Sequence, residues 1–275
     1  MAVMFPPEIF TEIFGFLTSE APALIACSQV HPTFAQLIEP ILYAHVIVHD
    51  HNAVREDQHH LKLKPYQLST LLSDKPRILN YLRSLRVYFS FNEGWTEIAA
   101  ILGGLKLERI QLTFAGTYGC ISWEQLPIAF RTAFVACIST SFMKEIRLNG
   151  IWNMPLSSFA DCTGLKRLGL WYYAVPPSNI SYNFPHLEAL ELFDWKINAH
   201  SQNFFSWALK HVCGLRSLTF TTFTKNLKQG FLPSLLTICS TSLVNLSIYH
   251  ISSRKPIYPV TRIVLTLSYY STNEL

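Results

Sequence analysis

The chain has 275 residues, 49% of them hydrophobic and only 15% charged, with a net charge of +4 at pH 7. So apolar a composition excludes wholesale disorder, and the scattered Lys and Arg form no run of the kind that marks a nucleic-acid footprint. No apolar run reaches the roughly 18 to 20 residues of a membrane span, and Glu8 interrupts the N-terminus before a signal-peptide core can form, so a soluble protein of the cytoplasm, the nucleus or both is expected, with neither membrane nor nucleic acid as partner.

The first predicted element is a helix from about Pro7 to Leu17, opened by Pro6-Pro7 and with Glu8 in the first turn, where the helix dipole favours an acid. Ile9, Ile13, Phe16 and Leu17 form one apolar stripe at helical spacing, and Phe10, Phe14 and Leu17 form a second beside it. Two stripes require two partners. One is expected to pack on further helices at Ala23 to Val30 and Thr33 to Leu42, the other on a neighbouring domain or another protein. A charged fraction below the usual quarter points the same way, because apolar surface left over must be covered.

Between His49 and Lys64 the chain turns polar, which predicts a solvated linker. His45, His49, Asp50, His51, Asp57, His59 and His60 are metal-ligating residue types, but nothing in their spacing closes a site, and no bound metal is expected. From Leu82 onward a Leu-x-x-Leu-x-Leu phrase recurs, at Leu82, Leu107, Met143, Leu165, Leu187, Leu215 and Leu243. These starting points lie 25, 36, 22, 22, 28 and 28 residues apart, near the 20 to 29 residues of a leucine-rich repeat. Helical patterns at Trp95 to Leu102, Trp123 to Ile138, Phe204 to Val212 and Phe231 to Cys239 separate the copies. The expectation is an α/β fold: a helical module followed by a leucine-rich-repeat solenoid, with parallel strands on the concave face, helices outside, and Leu85, Leu112, Leu148, Leu168, Leu190, Leu218 and Leu246 buried. The predicted division is 1–45 helical module, 46–75 linker and first helical segment, 76–250 repeats and 251–275 irregular tail or cap. In that tail Ile263, Leu265 and Leu267 alternate, so it forms an edge strand or marks an array cut short.

Cys27, Cys120, Cys137, Cys162, Cys213 and Cys239 contain no C-x-x-C pair and read as reduced, buried thiols, with Cys162 and Cys213 as filler before the turn into a strand. No nucleophile elbow, phosphate-binding glycine loop, zinc-protease helix or dinucleotide turn is present, so neither an enzyme nor a bound cofactor is expected. Side chains between the repeat leucines face away from the core. They include Arg86, Tyr88, Arg109, Arg147, Asn149, Arg167, Trp171, Glu191 and Phe193, where arginine beside aromatic is the composition of an interface hot spot. Arg147, Arg167, Trp171 and Phe193 make the preferred patch.

Residues 1 to 45 resemble the F-box, in Phe5-Pro6-Pro7-Glu8-Ile9, Ile13-Phe14, Leu17, Cys27-Ser28-Gln29-Val30 and Phe34, and the likeness to fungal F-box-like proteins continues through Ile41 to Val48. Phe5 stands where that pattern has Leu, and His31-Pro32-Thr33 stands where a basic cluster is common. The resemblance, joined to the repeats, implies the substrate receptor of an SCF-type ubiquitin ligase: Phe5, Pro6, Pro7, Ile9, Ile13 and Leu17 dock the adaptor, and the repeats hold an unknown protein substrate. The alternative is a free-standing repeat scaffold whose N-terminal helices only cap the solenoid.

Overall fold

The computed structural model describes residues 6–49, 60–90, 94–114, 120–159, 161–171, 187–193, 214–222, 236–237, 239–250 and 261–266. The chain divides into two compact units, Met1–Thr117 with Pro127–Cys137, and Tyr118–Leu126 with Ile138–Leu275. Parallel strands run through both.

The first unit opens with three helices, α1 (Pro7–Phe16), α2 (Ala21–Ser28) and α3 (Pro32–Leu42). Each begins with a proline in its first turn, where the missing N–H is no loss. The His31 imidazole caps α3 by accepting the Thr33 N–H through Nδ1 at 3.2 Å. Phe14, Ala21, Leu24, Ile38 and Leu42 form the buried centre, with Phe10, Leu17 and Phe34 packed against it. The Phe34 ring lies 4.7 Å from Phe10 and 5.4 Å from Phe14, an aromatic knot joining α1 to α3.

Strands β1 (His45–His49), β2 (Leu61–Leu63), β3 (Ser84–Phe89) and β4 (Arg109–Phe114) pair in the order β2-β1-β3-β4, all parallel. The return connections that parallel pairing requires contain α4 (Pro65–Asp74), a 3₁₀ turn over Pro76–Asn80 and α5 (Trp95–Leu102). In β3, Leu85, Val87 and Phe89 are buried while Ser84, Arg86 and Tyr88 are half-buried, the alternation of a strand with one face on the core. Phe89, Trp95, Phe130 and Phe134 extend that core, with Phe89 to Trp95 at 4.3 Å and Trp95 to Phe130 at 4.7 Å between ring centroids.

Two local expectations are corrected here. The sheet begins inside the stretch read as linker: Val46, Ile47 and Val48 are all buried in β1, and Leu61–Leu63 joins its edge as β2. Burial on both faces replaces alternation with a continuous apolar run, which hides a strand this short. The helix expected from Trp123 to Ile138 is broken. A 3₁₀ turn spans Trp123–Gln125 and α6 spans Ile128–Ile138, because Pro127 holds the residue before it, Leu126, extended at φ −73° and ψ 143°.

In the second unit a short β5 (Ile121–Ser122) pairs with β7 (Ile151–Trp152). The main sheet runs β6 (Glu145–Asn149), β8 (Arg167–Trp171), β9 (Ala189–Phe193), β10 (Ser217–Thr222) and β11 (Asn245–His250), parallel and without a register slip. Ile146, Leu168, Leu190, Leu218 and Leu246 therefore stack on one inward rung, and Leu148, Leu170, Leu192, Phe220 and Ile248 on the next. The leucines expected inside, from Leu85 to Leu246, are each at most 4% exposed. β12 (Thr261–Thr266) closes the edge antiparallel to β11, so the tail's alternation marks an edge strand.

One backbone joint recurs in both units. The carbonyl of Ala44 accepts from the N–H groups of Arg83 and Ser84, that of Arg83 from Glu108 and Arg109, that of Lys144 from Lys166 and Arg167, and that of Lys166 from Glu188 and Ala189. Glu188 and Arg216 repeat it for β10 and β11, all at 2.8 to 3.0 Å. One acceptor thus anchors the start of each following strand and sets its register. The helical segment at Phe204 to Val212, and most of that at Phe231 to Cys239, lies outside the described residues.

Candidate interaction surfaces

The three-helix module divides the two stripes of α1. Phe14 is buried and Phe10 and Leu17 half-buried against α2 and α3, whereas Ile9 is 44%, Ile13 48% and Phe16 80% exposed. On α2 and just beyond it, Ile25 and Val30 are exposed too. Pro6 and Pro7 are exposed beside Ile9. Leu17, expected on the docking face, instead packs against the module's own centre with Phe10 and Phe14, the stripe it shares with them at helical spacing. Phe5 lies outside the described residues.

Glu39, on α3, ties the helical module to the chain beyond α4. Its carboxylate is only 9% exposed and meets Lys75 Nζ at 3.2 Å and Arg77 at 2.8 Å. Burial pushes the carboxyl upward, but hydrogen bonds from Arg77 and then Lys75 outweigh it, leaving it below the usual 4.5.

On the outward face of the first unit's strands, Arg86 and Tyr88 are half-buried on β3 and Arg109 is exposed on β4. Arg109 Nη2 lies 3.3 Å from His45 Nδ1 on β1, across the small Ser84 of β3. The guanidinium can only donate, so the imidazole accepts and carries no proton on that nitrogen. Burial first, and then the positive charges of Arg109, His60 and Arg86, depress the His45 pKa. His45 stood out in the sequence only as one of a run of histidines, and Lys62, opposite Ile47 on this face, was overlooked as linker. The signal for both was Val46-Ile47-Val48, a β-branched triplet of the kind that favours a strand.

In the second unit, the rung Glu145, Arg167, Ala189, Ser217, Asn245 is followed by Arg147, Gly169, Glu191, Thr219, Ser247. Arg147 is held on both sides, with Nε 2.9 Å from Glu145 and Nη2 3.0 Å from Glu191. Of the preferred patch, Arg167 is exposed on β8, and the backbones of Trp171 and Phe193 lie opposite each other in β8 and β9, their side chains outside the described atoms. Asn149 occupies the same rung as Trp171. Gly169 gave no signal in the sequence, where it stands only as a spacer in Leu168-Gly169-Leu170.

Cys162 and Cys239 are fully buried, and burial pushes the Cys137 thiol up to about 12, out of range for a nucleophile. Cys27 is half-buried and Cys120 exposed, unlike the buried thiols expected; Cys213 lies outside the described residues. Among the described residues no three His, Cys, Asp or Glu gather as for a metal, with Asp50, His51, Asp57 and His59 outside them, and no helix is long and apolar enough to cross a membrane.

No family model, no curated protein and no solved structure matches this chain.

Proposed function

We propose that the chain is a non-catalytic receptor: its helical module docks the adaptor of an SCF-type ubiquitin ligase, and its repeat strands, read as a leucine-rich-repeat solenoid, hold a protein target. The observation that carries this is the exposed stripe of α1. Ile9, Ile13 and Phe16 lie on the outer side of a helix whose inner side is already satisfied by Phe10, Phe14 and Leu17. A second protein covering that stripe removes apolar surface from water at about 25 cal/mol per Å². The receptor itself contributes proximity, raising the concentration of target at another subunit's chemistry.

Capture of a purified SCF adaptor by the intact chain tests the reading. Binding at micromolar adaptor, abolished by Ile13→Asp with Phe16→Asp, is expected, because two unpaired carboxylates cannot enter an apolar interface. Wild-type protein that captures none favours the scaffold reading. The Glu39 link to Lys75 and Arg77 speaks for that second reading, since a cap must be bonded to the repeats it covers.

A further inference from the structure

The first unit has a groove of about 280 Å³ between α4 and α5. Both helices return the chain between parallel strands, and they run side by side in the same direction. Pro65, the first residue of α4, lies against Gly94, which caps α5: a Cβ on Gly94 would stand 2.8 Å from Pro65 Cγ. At the other ends of the helices, Ser73 and Gly104 line the groove together.

The floor is apolar, with Ile101 buried and Leu72 and Leu79 half-buried beside it. The rims are small: Ser69 and Ser73 along α4, Ala100 and Gly104 along α5, each pair at the i, i+4 spacing that stacks residues on one helix face. The Ser73 hydroxyl donates to the Ser69 carbonyl at 3.0 Å and so is satisfied within α4. A Cβ on Gly104 would meet nothing within 4 Å, which leaves the rim open there. One turn nearer the N-termini, helical spacing sets Tyr66 in line with Ser69 and Glu97 in line with Ala100. Both are exposed, and Glu97 holds no hydrogen bond or ion pair among the described residues.

Shape and charge select the occupant. Pockets that enclose a small molecule measure roughly 300 to 1,000 Å³; this groove is smaller, and its exposed rims would leave such a ligand wet on one side. A second copy of the chain would bring the exposed apolar stripe of α1, but Glu8 and Glu12 on that helix would set like charges against Glu97. An amphipathic helix with a basic flank meets both demands. Small rims let its axis come close, an apolar residue enters between Leu72 and Leu79, and a Lys or Arg reaches Glu97.

We propose that the α4–α5 groove docks a basic amphipathic helix of another protein, with an apolar residue seated on Ile101 and a Lys or Arg paired with Glu97. The groove shares no residue with the α1 stripe or the strand faces, so it adds a third surface and does not depend on the ligase reading.

The test uses the intact chain and three labelled helical peptides of about four turns, read by fluorescence anisotropy. One has leucines at i, i+4 and i+7 and lysines along one flank, a twin has glutamates on that flank, and the third scrambles the spacing of the first. The lysine peptide should bind about tenfold or more tightly than either of the others. Gly104→Leu, which fills the groove from an open position, should weaken its binding about tenfold without lowering the melting temperature. Glu97→Lys, at an exposed position, should reverse the preference so that the glutamate twin binds better. Ile13→Asp with Phe16→Asp, which spoils the α1 stripe, should leave binding unchanged. Equal binding of the three peptides, indifference to Gly104→Leu or to Glu97→Lys, or loss in the α1 variant would each defeat the proposal. Indole competing as strongly as the lysine peptide would assign the groove to a small molecule, and concentration-dependent dimers abolished by Gly104→Leu would assign it to a second copy; both overturn the partner helix.

Discussion

Arg147 on β6 reaches over β8 to Glu191 on β9, its Nη2 3.0 Å from the carboxylate, although the two strands are not neighbours. The span is two strand spacings, roughly 9.6 Å. Gly169 makes it possible: a Cβ there would stand 3.0 Å from Arg147 Cγ and 3.5 Å from Glu191 Oε2. The two side chains are 36% and 31% exposed, so solvent screening holds their coupling to about 0.2 to 1 kcal/mol. A double-mutant cycle with Arg147→Ala and Glu191→Ala measures it, and the coupling should fall to zero when Gly169→Val is in the background. An unchanged value with valine present contradicts the bridge.

The joints before β8 and β10 look alike in sequence, Thr163-Gly164-Leu165 and Cys213-Gly214-Leu215, but differ in space. A Cβ on Gly164 would collide with the Ser141 carbonyl oxygen and come within 3.0 Å of that of Met143, while one on Gly214 meets nothing within 4 Å among the described residues. Gly164→Ala should therefore destabilise by about 1 to 3 kcal/mol through backbone overpacking. Gly214→Ala should be neutral or stabilise by about 0.4 to 1 kcal/mol, since it restricts only the unfolded chain. Urea unfolding of the two variants decides the matter, and equal effects would refute the close approach.

Glu39 makes stability depend on acidity. Its folded carboxyl titrates below the usual 4.5, so its contribution is complete above that value and is lost as pH falls through the lower folded value. Lys75 and Arg77 are about half exposed, which limits the contribution to about 1 kcal/mol. Unfolding free energy measured from pH 6 downward should fall less steeply below 4.5 in Glu39→Gln than in the wild type. Identical slopes would remove the carboxylate from the account.

Leu168 tests the core directly. It is 1% exposed on a rung between Ile146 and Leu190, so Leu168→Ala opens a cavity that neighbouring strands cannot refill and should cost about 2 to 5 kcal/mol. A loss below about 1 kcal/mol by denaturant unfolding is incompatible with that packing.

β3, β4, β6, β8, β9, β10 and β11 were legible because a Leu-x-x-Leu-x-Leu phrase marks each of them, with Leu85 and Val87, or Ile146 and Leu148, alternating with polar neighbours, and because the phrase repeats often enough to fix its own period; the two-residue β5 and β7 carry no such phrase. β1 was not, since Val46, Ile47 and Val48 are buried together and erase the alternation. Likewise the two stripes of α1 were visible in the sequence, but not that Leu17 would turn inward with Phe14 while Phe16 remained 80% exposed.

By itself, then, the sequence determined the local periods: which residues point inward on each strand, where helices start on their prolines, and which leucines must be buried. Those follow from bonded geometry and from the removal of apolar groups from water, which act on neighbours along the chain. Only the tertiary structure decided what meets what across strands: Arg147 with Glu191 over Gly169, Arg109 with His45 over Ser84, and Glu39 with Lys75 and Arg77. The first two depend on register between strands 44 and 64 residues apart, and pairing register is set by the backbone joints that start each strand rather than by any period within one; the third joins a helix to a segment 36 to 38 residues on, which no local period foretells.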